Sequence, residues 1–456
     1  MEQEKVFVDK NKLGLTGLVA LVFGMMVGSG IFNIPQNMAA GAGLGAVMIG
    51  WGITATGMLM LVSTFKMLSD RHPELNEGIY LYAEKGFGRF TGFFVAWGYW
   101  LCACFANVAY AVMLNDTFGA FFPTLLNHGL PTILFCSALI WVMYFLISSG
   151  MRTSSIIATA AATLKLSVIA LIIILLALNI KYETLTADIW CLGTGIGGIT
   201  SQVKSTMLVT LWCFIGIEGA VVMSGRARRQ SDVGKAGVLG FLAAWILYVL
   251  VSVFCFGIMS RAELAGLEDP SVAYALRSIC GEWAYWLVII AVIISITGGW
   301  FAWTIVTAEQ PYSAAHHGIF PKFLLKKDGS DSLQPALLAS SVIMQCFLFL
   351  VVMAEDVYLY ALNITGLMVL PAYLFSGLFL VKMARMDYKC GLLTEHAKRG
   401  YAYGLTIGVC CTVFCIWMLY AAGIGLLLQA VAFYLVGLPL YRRGKPSPRP
   451  GHLNKQ

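Results

Sequence analysis

Charged side chains are scarce in this sequence: Asp, Glu, Lys and Arg together make up 12% of its 456 residues. A soluble domain carries roughly 25%, so this chain lacks the charge needed to cover a water-facing surface. It also lacks the ~10-residue segments of alternating apolar and polar residues that a transmembrane β-barrel requires. None of the twelve cysteines forms a Cys-x-x-Cys pair, which argues against a structural zinc site or a thioredoxin-like motif. No His-Glu-x-x-His or Gly-x-Ser-x-Gly occurs, so the signatures of a zinc protease or a serine hydrolase are absent. No loop is long enough for a separate soluble domain, and a non-transporting sensor would normally carry one.

In place of charge there are apolar runs. The chain is 59% hydrophobic, and runs of roughly 20 residues, each long enough to cross a ~30 Å hydrocarbon core as a helix, recur throughout. They predict an all-α polytopic membrane protein with about twelve spans, near 13–35, 43–68, 87–121, 131–149, 155–180, 199–225, 236–258, 281–311, 335–354, 356–384, 401–421 and 423–441. The short charged start, residues 1–12, precedes an apolar run too long for a cleaved signal peptide, so a retained first span is expected. Most cysteines fall inside the runs, where free thiols act as small hydrophobes. Cys191 and Cys280 fall outside them on the same expected side, where a pair is allowed.

Basic residues set the expected orientation. With both termini cytoplasmic, only Lys181, Arg261 and Arg277 lie in outer segments, and Lys165 and Lys204 lie within or at the edge of spans. The rest of the 30 Lys and Arg residues fall on the inner side, as the positive-inside rule requires. The net charge of +7 therefore reflects membrane orientation and implies no nucleic-acid partner.

Two spans are interrupted alike. Span one reads LVFGMMVGSGIFNIP, with Gly24, Gly28, Gly30 and Pro35, and span six reads TLWCFIGIEGAVVMSG, with Gly216 and Gly219 around Glu218. Glycine costs roughly 1 kcal/mol relative to alanine inside a helix, so clusters of it predict unwinding. Unwound backbone at membrane depth survives only where protein buries it or it lines a cavity. The interruptions lie five spans apart, which suits two inverted five-helix repeats (about 13–180 and 199–384) and marks a transporter's binding site. Close packing of glycine-bearing helices is the structural alternative.

The chemistry expected at the breaks follows from the freed backbone. Amides around Gly28, Ser29 and Gly30, at the positive end of a half-helix, suit a carboxylate. Carbonyls from Cys213 through Ile215 to Gly216 suit an ammonium group. Together they would hold an α-amino acid by its backbone atoms. Charged residues within spans are functional candidates by default. Glu218 reads either as a gate or latch, or as a carboxylate capping free amides. Lys165 reads as a fixed positive charge where a sodium ion would sit, or as a snorkelling side chain. Glu309 reads as part of an inner exit path or as a surface ion pair. Trp212 and Trp303 fall near mid-span, where a tryptophan can stack on a cation or simply pack. Tyr99 and Asn107, eight residues apart, share one face of span three. Adjacent His316 and His317 lack the spacing of helix-borne metal ligands and read as solvated.

With GSGIFNIP in span one, TLWCFIGIEGA in span six, and GGWFAWTIV and HGIFP around and after span eight, the chain resembles the amino acid–polyamine–organocation transporters over roughly residues 13–440. Within them it is most similar to the basic amino acid/polyamine antiporters, especially the arginine/ornithine exchangers. The resemblance implies a LeuT-like fold: a ten-helix core over 13–384, two peripheral helices over 385–441 and a cytoplasmic tail over 442–456. It implies alternating access in a bacterial inner membrane, with a cationic amino acid exchanged for a related amino acid or its amine. No cofactor or metal is implied, and a homodimer is compatible. Ser29 and Gly30 match carboxylate-binding positions, Trp212 an aromatic covering the substrate and Trp303 one stacking on its cationic side chain. Asn107 matches a substrate contact, Tyr99 an outer aromatic gate, Glu218 a pH-sensing carboxylate and Lys165 the lysine replacing a sodium site. Glu309 stands where arginine/agmatine exchangers have glutamine, so arginine/ornithine, lysine/cadaverine and histidine/histamine exchange all stay open. Proton-coupled amino acid uptake is the alternative to exchange.

Overall fold

The computed structural model describes residues 13–72, 74–75, 78–149, 155–219, 227–229, 231–326, 333–354, 356–389 and 395–443. Within them the chain is mainly helical, and strand-type pairing is limited to one isolated bridge between Leu13 and Ala227. Helix is what the apolar runs dictate, because a segment in lipid must satisfy its own backbone groups.

The elements in order are α1 (Leu15–Met26), a 3-10 turn (Ser29–Phe32), α2 (Ile34–Ala39), α3 (Leu44–Arg71), α4 (Tyr80–Phe87), α5 (Arg89–Phe118) and α6 (Leu130–Ser148). Then come α7 (Ser155–Leu178), α8 (Tyr182–Thr186), α9 (Ile199–Trp212), α10 (Ser231–Phe256), α11 (Arg261–Ala265) and α12 (Ser271–Cys280). The last are α13 (Glu282–His316), α14 (Gln334–Val351), α15 (Val357–Lys389) and α16 (Glu395–Arg443). Eight helices among the described residues are long and apolar enough to cross a membrane, and Leu15–Met26 and Leu164–Leu178 are shorter apolar segments. Helix α16 bends at Gly423, whose φ is 78°, between the two spans expected there. The short helices α8, α11 and α12 were not anticipated, although Ser260 and Glu263 form a capping box at the start of α11, a pattern written in the sequence.

Burial separates the pillar of the bundle from its rim. In the apolar window of α5, 94% of residues are buried, against 22% in α6 and in α16, so α5 is enclosed by protein while the other two face outward. Helix α15 packs on both α5 and α16, α1 on α10, and α13 on α5.

Contacts also define two ends. At one, Arg71 pairs with Asp387 at 2.6 Å, Lys382 donates to the Gly86 carbonyl at 2.5 Å, and Arg89 donates to the Gly318 carbonyl at 2.8 Å. Arg228 donates its amide to Leu13 at 2.9 Å. At the opposite end Arg261 donates to the Ala39 carbonyl at 2.9 Å, and Gln202 accepts from the Gly43 amide at 2.9 Å. Cys191 and Cys280, near that second end, are free thiols. The first is called the basic end below.

Candidate functional site

Both glycine-rich interruptions are breaks, and they face each other. Helix α1 stops at Met26, Gly28 takes φ −105° and ψ −143°, and a single 3-10 turn over Ser29–Phe32 leads into α2, which has Pro35 in its first turn. The leading amides of such a turn have no partner inside it, which leaves the backbone around Ser29 to Ile31 as donors. Of the Ser29 side chain nothing is described. In the second break α9 stops at Trp212, and the backbone continues in i→i+3 turns: Phe214 to Leu211 at 3.0 Å, Ile215 to Trp212 at 3.2 Å and Ile217 to Phe214 at 3.1 Å. The Cys213 and Ile215 carbonyls take no part in these turns.

Close approach explains why glycine is needed. A Cβ on Gly30 would meet Trp212 Nε1 at 3.0 Å, and one on Gly28 would meet the Tyr110 hydroxyl at 2.9 Å. Gly216 sits at φ +105°, a conformation that L side chains rarely adopt, with the Met25 carbonyl 3.0 Å from where its Cβ would lie. Gly24, in the same run as Gly28 and Gly30, has nothing within 4 Å of such a Cβ.

Between the breaks lies a cavity of about 20 Å³, lined by Met25, Met26, Gly28, Gly30, Ala106, Tyr110, Trp212, Cys213, Ile215, Tyr248 and Trp303. That holds on the order of one water, so the two breaks are nearly closed on each other. Carbonyls released by the first break are capped from the side. Tyr248 donates its hydroxyl to Met26 at 2.8 Å, and Lys165 donates its ammonium to Val27 at 2.6 Å.

On the side of the cavity toward the basic end, Glu218 closes a three-element clasp. Tyr99 of α5 donates to Oε1 at 2.8 Å, Tyr373 of α15 donates to Oε2 at 2.9 Å, and the Gly216 amide donates to Oε2 at 3.2 Å. The carboxylate is 1% exposed, and its partners are two phenols and an amide rather than a cation.

The expected site residues thus divide. Gly28, Gly30, Trp212, Cys213, Ile215 and Trp303 line one cavity. Gly216, Glu218 and Tyr99 form the clasp beside it, and Lys165 braces the first break. Asn107 is not among the lining side chains. It donates to Ala103 at 2.7 Å and Thr307 at 2.8 Å and accepts from Thr304 at 2.9 Å, tying α5 to α13. Glu309 is exposed, six residues and about 9 Å along α13 from Trp303, away from the cavity. His316 and His317 are exposed, as expected, although His317 also packs against the Tyr80 ring. Tyr110, Tyr248 and Tyr373 were not anticipated. Their one signal is a phenol at mid-span depth, where a hydroxyl requires a partner.

The amino acid permease family model matches residues 13–440. An arginine/agmatine antiporter of Chlamydia felis is 41% identical over 442 residues, covering 95% of this chain and 90% of that protein. One from Chlamydia pneumoniae is 40% identical over 443 residues, with coverage of 95% and 90%. A Clostridium perfringens protein described no further than as an amino-acid transporter is 39% identical over 453 residues, 97% of this chain and 93% of its own length.

Proposed function

The chain belongs to the amino acid permease family, a family of multi-pass membrane transporters rather than enzymes, and from that premise we propose that it exchanges a cationic amino acid for a related amino acid or its decarboxylated amine. The observation that carries this reading is the meeting of two helix breaks with tryptophan at the same cavity. Amides near Ser29 and Gly30 suit the substrate carboxylate, the Cys213 and Ile215 carbonyls suit its ammonium group, and Trp303 offers a ring face to the side-chain cation. Lys165, which donates to the Val27 carbonyl, matches the lysine that replaces a sodium site in the family it resembles, and this supports exchange without sodium. The names of the chlamydial relatives add arginine and agmatine to the candidate pair.

Alternating access, a LeuT-like arrangement of about twelve spans with paired repeats, and cytoplasmic termini complete the proposal. Taking the basic end as cytoplasmic, the Tyr99–Glu218–Tyr373 clasp is an inner barrier. Tyr99 then lies on the inner side of the cavity, not at the outer gate suggested by the family resemblance. A cavity the size of one water cannot hold an amino acid, so entry requires Trp212 or Trp303 to move.

Counterflow tests the proposal. Proteoliposomes preloaded with arginine, ornithine, agmatine, lysine, cadaverine, histidine or histamine should take up labelled arginine, lysine or histidine only when the lumen holds an accepted partner. Rapid uptake into empty vesicles driven by a proton gradient would replace exchange with proton-coupled uptake.

A further inference from the structure

At the end of the bundle opposite the clasp, four titratable side chains from separate parts of the chain converge. Asp116, 4% exposed near the end of α5, accepts from His128 Nε2 at 2.8 Å and from Asn115 Nδ2 at 2.9 Å. Asp356, at the head of α15, caps that helix by accepting the Leu359 amide at 2.8 Å. Asp269 lies in the loop between α11 and α12, close enough to feel the charges of Asp116 and Asp356. Beside it is Asn33, the residue that ends the 3-10 turn of the first break. Asn33 is fully buried with its amide group within reach of the Asp269 carboxylate, and its carbonyl oxygen has no hydrogen-bond partner.

Charge arithmetic makes this arrangement unfavourable when every carboxylate is ionised. With all three carboxylates ionised and the imidazole protonated, the cluster carries a net charge of −2 in a half-buried setting, where like charges disfavour one another. Each proton bound to a carboxylate removes one negative charge and supplies one O–H donor. A protonated Asp269 can donate to the orphaned Asn33 Oδ1, whereas an ionised one can only accept from the Asn33 amide nitrogen.

We propose that Asp116, His128, Asp269 and Asp356 form a proton-binding site at the outer end that latches the outer entrance shut when occupied. The side chains that would move apart belong to different bodies. Asp116 and Asp356 sit on α5 and α15, whereas Asp269 sits beside the first break, where the adjacent Ser271 hydroxyl donates to the Phe32 carbonyl at 3.3 Å. Protonation relieves the repulsion between these parts and lets them stay packed, and loss of the protons restores it.

The direction of titration agrees. The hydrogen bond to Asp116, aided by the charges of Asp116 and Asp356, holds the His128 imidazole above its usual range. Burial, aided by the neighbouring carboxylates, raises Asp269 well above the usual carboxylate range and raises Asp356 less far. All three therefore hold their protons more tightly when assembled, so acid favours the closed latch and rising pH weakens it.

The proposal rests on the exchange function and the orientation given above only for its transport test. In proteoliposomes with lumenal pH clamped at 7, exchange should rise about fivefold or more as external pH goes from 5 to 8, since one linked proton allows up to about tenfold per pH unit. Asp269→Asn and Asp356→Asn should keep the slow acid-side rate at every external pH, and Asn still caps α15. The same external-pH profile in wild type and both variants would overturn the latch. A second measurement needs neither substrate nor sidedness. In the ¹³C-histidine NMR spectrum of the purified chain, the signal lost in His128→Gln should titrate above the ordinary imidazole value of ~6.5 and move down in Asp116→Asn. A His128 signal that titrates at the ordinary value and is unmoved by Asp116→Asn would also overturn the proposal.

Discussion

The two ends of the helix bundle use the same two helices in opposite ways. Helix α5 carries Tyr99 toward the basic end and Asp116 toward the other, and α15 carries Tyr373 and Asp356. In each helix the two residues are 17 positions apart, or about 25 Å of rise. At the basic end one carboxylate meets three donors, and each of its oxygens has a partner. At the opposite end three carboxylates lie near one another, one imidazole pairs with Asp116, and Asn33 Oδ1 stands unpartnered. The first junction is complete in its hydrogen bonding and holds by geometry. The second is under-satisfied, and its state depends on how many protons it carries. The two helices that pack on each other thus carry a residue of each polar cluster.

Breaking the complete junction should have the largest effect. In Glu218→Gln one oxygen becomes an NH₂ group that faces a phenol or an amide hydrogen, so at least one donor loses its acceptor. Hydrogen bonds to a charged group contribute about 1.5–3 kcal/mol, and exchange should fall about 10- to 100-fold while protein yield stays near wild type. Any pH response that depends on this carboxylate should flatten, whereas the external response assigned to Asp269 and Asp356 should remain. Initial rates at a series of external and lumenal pH values separate the two, and loss of both responses together would merge the ends into one titrating unit.

How much of this was legible without coordinates depends on where the partners lie along the chain. The breaks were legible because each is local: Gly28, Gly30 and Gly216 fall within a few residues of one another or of Glu218 in otherwise apolar runs. Glu218 stood out as a charge where charge is costly. Tyr373 did not, because an aromatic in a membrane helix usually marks an interface, and its partner is 155 residues away. Asn107, a mid-membrane amide, was expected to need either another helix or the substrate as partner, the substrate contact being what the family resemblance implied. Its partners are Thr304 and Thr307, about 200 residues further along the chain. Asp116, Asp269 and Asp356 lie at span ends and in loops, where acids are ordinary, and only folding brings them together.

The cavity between the ends supplies the next test. Gly30→Ala places a Cβ 3.0 Å from Trp212 Nε1, so the indole must shift across a site already closed to about the volume of one water. Substrate affinity measured by calorimetry should drop roughly tenfold, in line with the 1–3 kcal/mol typical of overpacking. Gly24→Ala is the control: its Cβ meets nothing within 4 Å, and the exchange should gain up to about 1 kcal/mol of helix stability. Equal losses in both variants would mean that glycine matters here for helix packing and not for the site.

Trp303→Leu should act more gently, because it removes a ring face and leaves the backbone alone. A cation–π contact contributes about 0.5–2 kcal/mol, so cationic substrates should bind about 3- to 30-fold more weakly, with little change for a neutral amino acid of similar size. Neither pH response should move, since Trp303 touches the cavity but neither polar end. Equal weakening for cationic and neutral ligands would reduce the indole to a space-filling wall.

The smallest effect belongs to His128→Gln, and its pH dependence matters more than its size. The imidazole titrates above its usual range because it donates to Asp116. The pair's contribution is therefore fully present below the ordinary imidazole value of ~6.5 and disappears as pH rises through the elevated one. A half-buried, charge-assisted bond of this kind contributes about 1 kcal/mol. The midpoint of thermal unfolding in detergent should accordingly fall by about 2 °C at pH 5.5 and stay unchanged at pH 8.5. A loss of equal size at both pH values would make the histidine an ordinary packing residue. A pH-dependent loss would mean that the end opposite the clasp draws its stability from protons, while the clasp at the basic end draws its own from geometry.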